Sequence, residues 1–89
     1  MISRDFKISN KLGLHARPSA QITQVASRYF AEVWISKSER RVNAKSIMGV
    51  MMLAAGQGTE IEMEVEGIDE TQAAGLIAAL VNDKFGEGQ

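Results

Sequence analysis

An α+β open-faced β-sandwich is the fold this chain predicts: four strands in one antiparallel sheet, three helices on a single face, in the order βαββαβα. Three observations carry that reading. Glu60 to Glu66 alternates Ile61, Met63 and Val65 with four glutamates, so one side of that strand is wet and the sheet is covered on one side only. Pro18, Ile22, Val25, Ala26 and Tyr29 recur at helical spacing. Ala73, Leu76, Ile77, Leu80 and Val81 form a second such stripe near the end of the chain, and two apolar helix faces need one dry sheet face to cover.

The elements follow in order. Ile2, Arg4, Phe6 and Ile8 alternate with Ser3, Asp5 and Lys7, which reads as the first strand. A turn over Asn10 to Gly13 leads into a helix from about Ala16 to Ser27. Pro18 fits its first turn, where a missing N–H costs nothing. Ala31 to Ser36 alternates again, with Val33 and Ile35 on one face and Glu32 and Trp34 on the other. A polar turn through Lys37, Ser38 and Glu39 returns it as a short strand at Arg40 to Asn43. Ser46 to Leu53 reads as a short helix. After the glutamate strand, Asp69 and Gln72 are expected to form a capping box for the last helix. The tail, about 86–89, is expected to fray. Without repeats, low-complexity tracts or linkers, residues 1–89 read as a single domain. A ferredoxin-like arrangement shares most of this order, so element order alone leaves the fold open.

Bulk properties remove several classes of function. At 89 residues the chain has room for one modest core. Its net charge of −1 gives no basic footprint for nucleic acid. The absence of cysteine excludes disulfides and thiol chemistry, and one histidine is too few for a catalytic zinc, so neither metal nor cofactor is expected. Met1 to Asn10 contains no long apolar run, so neither a signal peptide nor membrane insertion is expected, and the cytoplasm is the expected location.

The single histidine, His15, stands in Gly13-Leu14-His15-Ala16-Arg17-Pro18, at or beside the N-cap of the first helix. Unpaired N–H groups and the positive end of the helix dipole converge there, an arrangement suited to an anion. A ring nitrogen carrying a phosphoryl group would place its oxygens near the backbone N–H groups of Ala16 and Arg17. The Arg17 guanidinium could add charge-assisted bonds. Stabilisation of this moderate kind lets a phosphoryl group arrive and leave again. A lone histidine at a helix start is more often a plain surface or capping residue; the coincidence of Gly, His, Arg and Pro around one helix start favours the functional reading.

A second feature lies in Ala44-Lys45-Ser46-Ile47-Met48-Gly49-Val50-Met51-Met52-Leu53. With Val50 and Leu53 turned to the core, Ile47, Met48 and Met51 are left outside, and such clusters usually have a partner to cover them. Methionine adapts to several partner surfaces. The competing expectation is a helix buried all round. Ser46 stands at the N-cap, and a phosphate there would suit the helix terminus while setting negative charge beside the patch.

These residues resemble a family. GLHARPSA at 13–20, AKSIMGVMML at 44–53, GQGTEIEMEVEG at 56–67 and the C-terminal helix together are similar to HPr, the histidine-containing phosphocarrier of the bacterial sugar phosphotransferase system. The resemblance covers almost the whole chain and implies an HPr-like open-faced β-sandwich. It implies that His15 accepts a phosphoryl group on Nδ1 from enzyme I, itself charged by phosphoenolpyruvate, and passes it to enzyme II A domains. Arg17 then matches the active-site arginine, and Ser46 the site of an HPr kinase/phosphorylase, with a transcriptional regulator as a further partner. Ile47, Met48 and Met51 match the docking surface. The chain is thereby expected to be a monomeric carrier and a substrate of enzymes rather than an enzyme. The first helix carries Gln21, Gln24 and Ser27, with Arg28 its only later cation, so docking leans on apolar contact. Alternative readings are the nitrogen-related branch of the same system and a mainly regulatory binding module controlled through Ser46. A ligand-binding ferredoxin-like domain would leave the His-Arg-Pro grouping without a purpose.

Overall fold

A computed structural model describes residues 1–86. Four strands, β1 (Ile2–Lys7), β2 (Glu32–Lys37), β3 (Arg40–Asn43) and β4 (Glu60–Glu66), form one antiparallel sheet in the order β1-β4-β2-β3. Three helices, α1 (Ala16–Ser27), α2 (Ile47–Met52) and α3 (Glu70–Asn82), complete the βαββαβα order, followed by a 3-10 turn at Lys84–Gly86. The α+β open-faced sandwich is thus observed. No helix among the described residues is long and apolar enough to cross a membrane.

The alternation in the central strands sets the inside. Val33, Ile35, Ile61, Met63 and Val65 are buried against Ile22 and Ala26 of α1, Val50 of α2, and Ala73, Ile77 and Val81 of α3. The wet face holds the glutamates of β4. Glu64 there receives the Arg41 Nε at 3.3 Å, and the same guanidinium lies 4.4 Å over the Trp34 ring. The hairpin is one residue longer than expected, because Lys37 pairs with Arg40 and leaves Ser38 and Glu39 as a two-residue turn. Ser38 takes the left-handed φ of +55° that such tight turns demand.

Two expectations need correction. Leu76 does not face inward: it is 44% exposed, and Ala74 and Ala78 are buried instead. Small side chains let α3 lie close to its neighbours, so the stripe narrows onto alanine and leaves the leucine outside. The capping box does not form either. Asp69 occupies the N-cap of α3 without a side-chain capping bond. Its carboxylate accepts instead from the backbone N–H groups of Phe30 (2.9 Å) and Ala31 (2.8 Å), tying the β4–α3 turn to the α1–β2 turn. At that junction a Cβ on Gly67 would stand 2.6 Å from the Ala31 Cα, so nothing larger than glycine fits. Partial burial pulls the Asp69 carboxyl upward, but the two N–H donors, its own backbone N–H and the Lys45 charge outweigh it and hold the group below its ordinary value. Just before the tail expected to fray, the chain packs onto the core. Phe85 is 1% exposed, among the largest fully buried side chains, and the Gly86 N–H donates to the Asp83 carbonyl at 2.9 Å. The rest of the tail expected to fray, 87–89, lies outside the described residues.

Candidate functional site

His15 is the N-cap of α1, with extended backbone (φ −78°, ψ −168°), and its carbonyl accepts the first helical bond from the Ser19 N–H at 3.0 Å. Its imidazole makes no capping bond to the helix it heads. Ala16, Arg17 and Pro18 fill the first three helical positions. Because proline has no N–H, the amides beyond the His15 peptide available for an anion at this head reduce to those of Ala16 and Arg17. Both residues are exposed, whereas His15 is half-buried.

The loop before the helix is locked. The Asn10 Nδ2 donates to the Gly13 carbonyl at 2.8 Å, and the Gly13 N–H donates back to the Asn10 carbonyl at 3.2 Å. Gly13 has φ +67°, and a Cβ there would lie 2.3 Å from the Ala55 carbonyl oxygen. The close approach permits the next bond, from the Leu14 N–H to that same oxygen at 2.8 Å. Ser19, buried in α1, fastens the loop from the other side through Oγ to the Leu14 carbonyl at 3.1 Å. His15 then borders an open depression of about 260 Å³, whose other walls are Leu12, Leu14, Ala54, Ala55 and Gly56.

The far wall of that depression is the segment leaving α2. Ala54 there has φ +52°, a left-handed conformation that costs a non-glycine residue about 1 kcal/mol or more. Three bonds from the β2–β3 hairpin hold it. The Lys37 Nζ donates to the carbonyls of Leu53 and Ala54, each at 3.2 Å, and the Arg40 Nη1 donates to the Met52 carbonyl at 2.7 Å. These are the carbonyls a helix C-terminus leaves without internal partners. Periodicity placed Lys37 and Arg40 in a hairpin; nothing local in the sequence signals that they reach across to another element.

The start of α2 is fastened to the other end of α1. Thr23 donates its hydroxyl to the Ala44 carbonyl at 3.0 Å, and the Lys45 Nζ donates to the Tyr29 carbonyl at 2.9 Å. The two helices therefore run in opposite senses, with the end of α2 beside His15 and Ser46 one helix length away, about 9 Å at 1.5 Å per residue. Ser46 caps α2, its Oγ accepting from the Gly49 N–H at 3.1 Å, and the residue is exposed. Val50 and Leu53 are buried. Ile47 (42% exposed), Met48 (66%) and Met51 (36%) stand outside, joined by Met52, so α2 is not buried all round. The structure thus brings His15 beside the exit of α2, with Ala16 and Arg17 following it in the first turn of α1, and sets Ser46 apart. No group of histidine, cysteine or carboxylate side chains suited to a metal ion occurs among the described residues.

Comparison with known proteins adds a family. A family model described as the PTS HPr component phosphorylation site matches residues 2–83. The phosphocarrier protein HPr of Neisseria meningitidis is 53% identical over 89 residues, covering 100% of both chains. Among solved structures, HPr-C-His from Thermoanaerobacter tengcongensis superposes with a TM-score of 0.94 at 44% identity, covering 98% of each chain. An HPr dimer from the same organism gives 0.78 at 44% identity, over 98% of this chain and 100% of that one.

Proposed function

Because the chain belongs to the HPr family of phosphotransferase-system phosphocarriers, we propose that it shuttles a phosphoryl group on His15 between two other proteins in the cytoplasm. The donor is phosphorylated enzyme I, and the acceptors are enzyme II A domains. The Nδ1 of His15 attacks phosphorus as the bond to the donor nitrogen breaks, and the reverse geometry serves the next transfer. There is little bond chemistry for this chain to assist, so its part is to position and to neutralise charge. The amides of Ala16 and Arg17 and the Arg17 guanidinium receive the phosphoryl oxygens. Ile47, Met48 and Met51 seat the partner. Such a chain is a carrier and a substrate of enzymes rather than a catalyst. We read the working unit as a monomer, since one chain carries the imidazole, its amides and the apolar helix together, although several solved relatives are dimers.

The observation that carries this reading is the imidazole heading α1 beside two amides outside the helical ladder and next to an exposed apolar helix. Incubation with enzyme I and phosphoenolpyruvate should load the protein with acid-labile, base-stable phosphate, and His15→Ala should take up none. Equal labelling of that variant would falsify the assignment.

Ser46 supports a regulatory layer on the same protein. It is exposed at the head of the helix that presents the patch, where an HPr kinase/phosphorylase could reach it and a transcriptional regulator could read the added charge.

A further inference from the structure

The wall of the His15 depression formed by the α2 exit is tied to the β2–β3 hairpin. Ala54 adopts its left-handed backbone directly beside the histidine, and the Ala55 carbonyl fixes the Leu14 N–H next to it. Within the chain of α2 the exit is held by two backbone bonds, from the Leu53 N–H to the Val50 carbonyl at 3.2 Å and from the Ala54 N–H to the Met51 carbonyl at 3.1 Å, and the six-residue helix has no basic residue in its last turn to serve the carbonyls that follow. The Lys37 ammonium and the Arg40 guanidinium supply the missing donors to three successive carbonyls, Met52, Leu53 and Ala54. Both side chains come from β2 and β3, which supply no residue lining the His15 depression.

From these contacts we infer that Lys37 and Arg40 are positioning residues for phosphoryl transfer: they hold the α2 exit so that the Ala54–Gly56 wall and the Leu14–His15 backbone keep the ring in its transfer geometry. This rests on the carrier reading of His15 and adds the element that orients it. The chain of contact runs from the Lys37 Nζ to the Ala54 carbonyl, through the next peptide to the Ala55 oxygen, and from there to the Leu14 N–H. Charge alone is not the operative property. A donor must reach the Met52, Leu53 and Ala54 carbonyls, so another long donor can substitute and an apolar chain of equal length cannot.

The test compares Lys37→Met, Arg40→Met and the conservative Lys37→Arg with the unaltered protein. With one histidine in the chain, the imidazole gives a single set of ring resonances, so its environment is read without ambiguity. In Lys37→Met and Arg40→Met those resonances should move, and hydrogen exchange at the Leu14 amide should accelerate. The kcat for phosphoryl uptake from enzyme I should fall roughly three- to tenfold with KM within about twofold. Lys37→Arg should restore all three. Unchanged ring resonances and Leu14 exchange in folded Met variants would overturn the inference, as would a loss expressed only in KM, which would make the two residues docking contacts. If one Met variant fails to fold, the other and Lys37→Arg carry the same measurements. A wild-type protein that takes up no phosphate defeats the carrier reading, and the resonance and exchange data still decide whether the hairpin orients the ring.

Discussion

Single residues at this site are fixed by what their neighbours exclude. Gly13 is the clearest case, since its backbone is left-handed and its missing side chain is the space taken by the Ala55 carbonyl. Gly13→Ala should therefore lower stability by about 2–3 kcal/mol, from backbone strain together with displacement of that carbonyl. A shift in the urea midpoint corresponding to less than about 1 kcal/mol would mean that the loop relocates freely. The sequence made Gly13, His15 and Pro18 legible because turn and helix-start chemistry are local. Asn10 was read only as part of a turn, yet it is fully buried and bonded to Gly13. Lys37 and Arg40 were unreadable as supports, because the carbonyls they serve lie 12 to 17 positions further along the chain.

Among the elements, α2 is the one whose composition breaks the usual rule, and its period was enough to sort its faces: Val50 and Leu53 inward, Ile47, Met48 and Met51 outward. The serine that caps it offers a prediction confined to this helix. Aspartate is as good an N-cap as serine, and a negative charge suits the helix head, so Ser46→Asp should keep thermal stability within about 0.5 kcal/mol. Transfer from enzyme I should nevertheless slow, on the order of tenfold, through charge placed beside the docking face. A large fall in melting temperature, or an unchanged rate, would count against that account. In α3 the spacing found the helix but misplaced Leu76. Periodicity weighs bulk, whereas a helix that approaches its neighbours closely buries alanine. The same closeness leaves no signature in a list of large apolar residues.

Across the molecule, layers and strand faces could be read from alternation, whereas the long ties between turns could not. Asp69 is the main example, having exchanged a local cap for two amides 38 and 39 residues away. Its carboxyl is held below its ordinary value of 3.8, so it stabilises the fold at neutral pH, and that contribution fades as the pH falls through the folded-state value. Asp69→Asn should melt below the wild type at pH 7, with the gap closing below about pH 3.8 in thermal melts; a gap constant across that range would mean that ionisation plays no part. Phe85 was equally invisible, being one apolar residue in a polar tail with no repeat to announce it. The two-ended fastening of α2 has a kinetic meaning as well. A free peptide of six residues would not stay helical in water, but this one is gripped by Lys45 and Thr23 at its head and by Lys37 and Arg40 at its foot. On the docking proposed above, a visiting protein would meet that backbone already arranged, which lowers the ordering cost of association. Under that proposal successive visitors would exchange at a pace set by encounter and departure, with no refolding between them.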